Sequence, residues 1–186
     1  MIRAFLAIDL PDSLRPQLAL VQGELKRSEA DVRWVPVGNI HLTLKFFGHL
    51  PEAEVDPLAQ AAREVAQHQA PFQLQVTEAG AFPSPKSPRV IWLGIGGDVI
   101  PLAQMYHRLE KAFAALGHLP EGRAFNPHLT LGRVKSPAGR HKLAQMLERM
   151  PPLDGPRFKV SEIILFKSTL TPQGSIYTPL KVIPLG

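Results

Sequence analysis

Apolar residues recur along this chain with two periods, and each period predicts its own elements. Ile2 to Ile8 is a short apolar run closed by Asp9-Leu10-Pro11, which predicts a buried strand. A helix is expected from about Ser13 to Lys26, with Pro16 accommodated in its first turn. Arg33-Trp34-Val35 reads as a short strand. His41 to Phe47 reads as a longer one, closed by Gly48. From Pro51 to Gln67 the apolar positions Val55, Leu58, Ala62 and Val65 step by three and four, drawing one helical stripe. Phe72 to Val76 alternates as a half-buried strand does. Pro83 to Pro88 reads as a loop, and Val90 to Gly94 as a buried strand before a turn at Gly94-Ile95-Gly96-Gly97. Leu102, Tyr106, Leu109, Phe113 and Leu116 stripe the clearest helix, with Gly117 placed to cap it. Next come a strand from His128 to Val134, a helix after Gly139, and strands at Phe158–Phe166 and Ile176–Ile183 joined by a Thr171–Gly174 turn.

Helices and strands intermingle throughout, so the expected class is α+β. The expected architecture is a single domain over residues 1–186, made of two similar lobes. Each lobe is an antiparallel sheet with helices outside, and the two sheets line a central groove. No linker, charge run or low-complexity stretch divides the chain.

Composition narrows the chemistry. The chain has no cysteine, which removes disulfides, thiolate catalysis and cysteine-ligated zinc. Lysines and arginines exceed acids by five, a balance that suits a polyanionic partner. No stretch approaches the roughly 20 apolar residues of a membrane span, and the N-terminal run is too short for a signal peptide. A cytoplasmic monomer without a membrane is expected.

One hexapeptide pattern occurs twice: Asn39-Ile40-His41-Leu42-Thr43-Leu44 and Asn126-Pro127-His128-Leu129-Thr130-Leu131. These contain the only two asparagines in the chain. On a strand, His41 and Thr43 point one way and Leu42 and Leu44 the other, and the second copy repeats this. Across a groove the two copies would present two imidazoles and two hydroxyls. Histidine is the side chain that takes or gives a proton near neutral pH. Such a pair suits in-line displacement at phosphorus, one histidine as base and the other as acid. Lys45, Arg133 and Lys135 are the nearby cations for phosphate charge. By strand alternation Arg133 points away from Thr130, and a bulge near Gly132 is needed to bring it into the groove. Alternation also puts Phe47, not Phe46, on the face of His41 and Thr43. Phe47 is therefore a candidate surface for a base, beside Phe46, Trp34 and Tyr177. Lys86, Arg89 and Arg123 are candidates for a basic rim.

Other readings of the doubled motif are a purely structural strand and a metal site. For the metal, neither motif supplies a third ligand locally. No Walker sequence, Gly-x-Ser-x-Gly or paired carboxylates occur.

The paired His-x-Thr-x motifs resemble those of the 2H phosphoesterases. Within them the chain is similar to the bacterial and archaeal 2′-5′ RNA ligase group, also called RNA 2′,3′-cyclic phosphodiesterases. Arg3-Ala4-Phe5-Leu6-Ala7-Ile8, His41 to Gly48, Asn126 to Arg133 and Ser168-Thr169-Leu170 with Gly174 and Tyr177 carry the likeness. The resemblance implies a bilobal fold with pseudo-two-fold symmetry. It implies hydrolysis of a terminal 2′,3′-cyclic phosphate on RNA, tRNA fragments included, to a 2′-phosphate, with no metal and no cofactor. It implies His41 as proton donor, His128 as proton acceptor, Thr43 and Thr130 as phosphate ligands and Arg133 nearby, and it brings reversible 2′-5′ ligation of RNA ends into view. The competing expectations are a phosphodiesterase acting on a small cyclic nucleotide and a non-catalytic module that binds RNA ends.

Overall fold

In the computed structural model, which describes residues 1–186, the N-terminal apolar run forms β1 (Ile2–Ile8). It does not alternate in polarity because both of its faces are covered. Ile2, Ala4, Leu6 and Ile8 enter the main core, while Phe5 and Ala7 join a second, small cluster with Ile164 and Phe166. Helix α1 (Arg15–Lys26) follows one 3-10 turn and takes Pro16 into its first turn, where a missing N–H removes no helical hydrogen bond. The chain continues through β2 (Val32–Trp34), β3 (Leu42–Leu50), α2 (Val55–Ala66), β4 (Phe72–Ser84), β5 (Ser87–Gly97) and α3 (Val99–Ala114). It ends through β6 (His128–Val134), α4 (Arg140–Arg149), β7 (Arg157–Val160), β8 (Glu162–Thr171) and β9 (Gly174–Pro184). No helix is long and apolar enough to cross a membrane.

The expected α+β class with antiparallel strands is present, and the differences are local. β3 runs through Gly48, which takes a left-handed φ of +72° inside the strand, and ends at Leu50. The proline-rich stretch is not a loop. β4 and β5 form a long hairpin in which Pro83 lies opposite Pro88, leaving only a tight turn at its tip. Gly94 and Gly96 sit inside β5 rather than in a turn. A Cβ at Gly94 would fall onto the Glu78 carboxylate and the Thr77 hydroxyl. Leu116 lies beyond α3 and is exposed, whereas Gly117 at φ +92° does end the helix, with the His118 N–H donating to Phe113 O. The apolar run at 158–166 breaks at Ser161 into β7 and β8.

That break matters for topology. The nine strands form one sheet in the order β7-β4-β5-β6-β3-β1-β8-β9, with β2 also paired to β6. The two expected sheets are thus two halves of one. β3 and β6, at the centre, share a single residue pair, Leu42 with Leu129. One half, β3-β1-β8-β9, uses strands from both ends of the chain. The other, β4 to β7 with β2, uses the strands between. Helices α2 and α4 cover opposite halves, α2 packing on β8 and β9 and α4 on β4 and β5. The main core lies between helices and sheet. Leu42 and Leu129 are both almost fully buried in it, and truncating a core leucine of this kind typically costs about 2–5 kcal/mol.

Candidate active site

The central pair sets the geometry of the doubled motif. In an antiparallel register running through Leu42 and Leu129, one step in either direction puts His41 across from Thr130 and Thr43 across from His128. The two histidines are then diagonal neighbours, a relation that spans roughly 7–8 Å in a regular ladder, with the Cβ atoms somewhat closer. A local two-fold axis passes through the Leu42–Leu129 pair. The leucines face the core, and the histidines and threonines face the other way.

Both motif strands carry the same irregularity. Thr43 pairs with Ala7 and Lys45 with Leu6, which leaves Leu44 as an extra residue. Thr130 pairs with Trp92 and Gly132 with Ile91, which leaves Leu131 as an extra residue. In each copy the bulge falls on the second leucine of His-Leu-Thr-Leu. A bulge reverses the alternation beyond it. The fifth residue after each histidine therefore rejoins the face of the threonine. Arg133 enters the cleft in one copy, and Phe46 does so in the other.

The cleft has a volume of about 980 Å³. His41, Thr43, Thr130 and Arg133 line it, with Arg3, Arg33, Lys135, Trp34, Phe46 and Tyr177 around them and Asp31 as its one carboxylate. His128 lines an adjoining hollow of about 250 Å³ with Phe82, Trp92 and Glu78. It stays two residues from Thr130 on one strand face.

Three sequence expectations are corrected here. Phe47 is not on the groove face. Its ring packs edge-on against Phe113 (centroids 5.0 Å apart) and His118 (5.2 Å), because the bulge at Leu44 inverts the parity that pointed it inward. Lys45 is buried beneath the motif strand, with Nζ 2.9 Å from Glu110 Oε1 and donating to Leu119 O at 2.6 Å. The contact with Oε1 is ionic rather than an aligned hydrogen bond. Lys86, Arg89 and Arg123 lie outside the cleft, whose basic rim is Arg3, Arg33 and Lys135 instead.

The imidazoles are held in matching ways. His41 Nδ1 lies 2.7 Å from Asn39 O, and His128 Nδ1 lies 2.6 Å from Asn126 O. A carbonyl only accepts, so in each ring Nδ1 carries the proton and Nε2 is left for chemistry. No protein group hydrogen-bonds either Nε2. Each ring also rests on aromatic carbon. His41 stacks on Phe5 at 4.7 Å and meets the ring of Tyr177 edge-on at 5.3 Å. His128 meets the ring of Phe82 edge-on at 5.1 Å.

Arg15 is a positioning residue that the motif did not reveal. Its guanidinium donates to Val37 O at 2.6 Å and Ile40 O at 3.2 Å, and pairs with Asp9 at 3.0 Å. It thereby holds the backbone on both sides of the Asn39 carbonyl. Asn39 Nδ2 adds a bond to Ser175 O at 2.8 Å, tying that turn to β9. The carbonyl partners lie 22 to 136 residues away in sequence, so no local pattern could announce them.

Burial pushes the His41 pKa below its usual 6.5. The bond to Asn39 and the charge of Asp9 oppose the shift, and Arg15 adds to it. The unfolded chain takes up this proton near 6.5, the folded imidazole only at lower pH. Between the two values the unfolded state binds more protons, so stability falls as pH drops through that window. The melting midpoint of the wild type should therefore fall more between about pH 7.5 and pH 5 than that of His41→Gln. Parallel melting curves in the two proteins would contradict this.

The chain is similar to known proteins over nearly its whole length. The family model described as LigT like Phosphoesterase matches residues 8–92 and 99–177. A Methanothermobacter thermautotrophicus protein named RNA 2′,3′-cyclic phosphodiesterase is 38% identical over 99% of both chains. A crystal structure of a Thermus thermophilus protein superposes with a TM-score of 0.82 at 29% identity, covering 99% of this chain and 98% of that one. The crystal structure of E. coli LigT complexed with 3′-AMP gives 0.81 at 31% identity, with the same coverage.

Proposed function

The chain belongs to the LigT-like phosphoesterase family, and from that premise we propose that it is an RNA 2′,3′-cyclic phosphodiesterase working through His41 and His128 without a metal. The matched tautomers carry this reading: two Nε2 atoms on strands related by a local two-fold, each free of any protein partner. His128 takes a proton from water as its oxygen bonds to phosphorus. The P–O3′ bond breaks, and His41 gives its proton to O3′, leaving a 2′-phosphate and a 3′-hydroxyl. The hydroxyls of Thr43 and Thr130 donate to the non-bridging oxygens, and Arg133 balances the charge that gathers there. With a ribose 5′-hydroxyl in place of water the same steps run in the same direction, its oxygen bonding to phosphorus as O3′ leaves with the His41 proton, and they end in a 2′-5′ linkage.

The remaining features of the site favour this over a metal enzyme or a small-nucleotide enzyme. Nowhere do three His, Asp or Glu side chains cluster as a metal ion needs. The cleft's volume is at the top of the roughly 300–1,000 Å³ of small-ligand pockets. Arg3, Arg33 and Lys135 extend its charge beyond one phosphate.

A short RNA ending in a 2′,3′-cyclic phosphate should be opened to the 2′-phosphate at the same rate with and without EDTA. It should be preferred over a cyclic mononucleotide, and its KM should rise steeply with salt. Loss of turnover on chelation would overturn the metal-free mechanism. Equal KM for the two substrates at all salt concentrations would favour a small-nucleotide enzyme.

A further inference from the structure

The hollow beside His128 holds a carboxylate that takes no part in the steps proposed for the two histidines. Strand β4 bulges there: Val76 pairs with Ile95 and Ala79 with Leu93, so Thr77 and Glu78 both stand opposite Gly94. A bulge re-aims the side chain it carries. On its other edge Gly94 pairs with His128. Directly opposed residues point to one face of a sheet, with Cβ positions roughly 4.5–5.5 Å apart. Gly94 has no Cβ, and a Cβ there would collide with Glu78 Oε1. The carboxylate thus sits where a cross-strand side chain would meet His128, and both residues line the hollow. Glu78 takes part in no salt bridge, and Nε2 of His128 has no protein partner.

The other motif strand differs. β1 and β3 pair Ala7 with Thr43 and Ile8 with Leu42, and the next step of that register puts Asp9 across from His41. Asp9 already accepts from Arg15 and from the Leu10 N–H, and the His41 ring is stacked on Phe5. The local two-fold therefore sets an engaged carboxylate beside one imidazole and an unengaged one beside the other.

We infer that Glu78 is the second acceptor for the attacking water, and that it makes the enzyme choose water over an alcohol, hydrolysis over joining to a ribose hydroxyl. The inference rests on the cyclic phosphodiesterase reading above. Water has two protons. One hydrogen-bonds to His128 Nε2 and the other to the Glu78 carboxylate, which leaves a lone pair for phosphorus. One water bridges two acceptors up to about 5.5 Å apart, twice a hydrogen-bond length. The hollow, at about 250 Å³, has room for it. It lies on the β5 flank of β6, away from β3 and His41. A nucleophile on that flank arrives in line with an O3′ that leaves toward His41. As the water oxygen bonds to phosphorus, one proton passes to His128, and the P–O3′ bond breaks as O3′ takes the His41 proton. The second proton stays on the new P–OH, still held by Glu78. An alcohol has a single hydroxyl proton. Once that proton is bonded to His128, the alkyl group faces the carboxylate, which has given up water and gained no donor.

The test is the choice of nucleophile. A short RNA ending in a 2′,3′-cyclic phosphate is opened in buffer containing methanol by wild type, Glu78→Ala, Glu78→Gln and Gly94→Ala, and the 2′-phosphate is separated from its methyl ester. Glu78 is exposed, so its replacement leaves the fold intact. In Glu78→Ala, kcat for hydrolysis should fall about tenfold, the loss of one charge-assisted hydrogen bond, with methanolysis and KM changed less than about twofold. The ratio of methyl ester to 2′-phosphate should therefore rise about tenfold. Glu78→Gln keeps an uncharged acceptor and should fall between. Gly94→Ala keeps the charge but puts a methyl group where the carboxylate sits, and it should raise the ratio too. A ratio in Glu78→Ala within about twofold of wild type would overturn the inference. Hydrolysis and methanolysis falling together would do the same, since that marks a residue that only shapes the site. A wild type that leaves the ring closed would remove the phosphodiesterase reading itself, and the inference with it.

Discussion

Replacing either His41 or His128 with alanine is expected to lower kcat for an RNA cyclic phosphate by about 10²–10⁴-fold, the usual contribution of one positioned proton transfer. KM should change little, because Thr43, Thr130, Arg133 and the basic rim remain. The pH profile separates the two roles. Burial lowers the His41 pKa in the free protein, and a bound phosphate anion raises it again. If His41 is the acid, the alkaline limb of kcat should lie at higher pH than that of kcat/KM, and His41→Ala should remove this limb alone. If His41 is the base, the acidic limb shifts instead. Retention of more than a tenth of wild-type turnover by either alanine variant would exclude paired-histidine catalysis.

Lys45→Met should cause the largest loss of stability among the cleft-strand residues. It strips the counter-charge from Glu110, which is buried beside it. Breaking a buried pair from one side costs about 3–5 kcal/mol, or roughly 6–20 °C in melting midpoint for a chain of this size. The pair also anchors the segment leading into β6. Lys45 donates to Leu119 O, Glu110 Oε2 accepts the Glu121 N–H at 2.6 Å, and Phe125 stacks on Tyr106 at 4.0 Å and 6°. Burial, with Glu110 and Glu121 nearby, pushes the Tyr106 phenol up to about 12. Asn126 and His128 come next in the chain. Lys45→Met should therefore lower turnover at least tenfold as well. Adding Glu110→Leu should restore most of the melting midpoint, since an apolar replacement of a buried pair is often neutral. It should not restore turnover, because the bond to Leu119 stays lost and the bond from the Glu121 N–H goes with the Glu110 carboxylate. A single variant that melts within about 2 °C of wild type would refute the strut.

The histidines and threonines were legible in the sequence because short-range alternation holds across His-x-Thr. It fails one residue later, at Leu44 and Leu131. A bulge is set by how a strand fits its neighbours, and those neighbours, β1 and β5, lie far off in sequence. Alternation alone therefore sends Phe47 and Lys45 to the groove and Arg133 away from it, while the fold places all three the other way. For Arg133 the need for a bulge could be stated in advance, because the arginine had a reason to be in the groove. Phe46 carried no such reason. The element types were readable from periodicity, with β1 and β6 correct to the residue. The pairing across Ser161, which sends β7 to one half-sheet and β8 to the other, follows from long-range packing that no local window contains.

The interleaved strand order also makes assembly ordered in time. The half that bears His128 closes once residues up to Val160 are available, since β2, β4, β5, β6 and β7 all precede that point. The half that supports His41 must wait for β8 to pair with β1. Phe166 and Tyr177, which complete the aromatic bed of Phe5 and His41, arrive only then. At ordinary elongation rates of about 5–20 residues per second, the strands of the half that bears His128 are therefore all synthesised a second or more before those of its counterpart. The aromatic bed of His41 is thus the last part of the cleft to be completed.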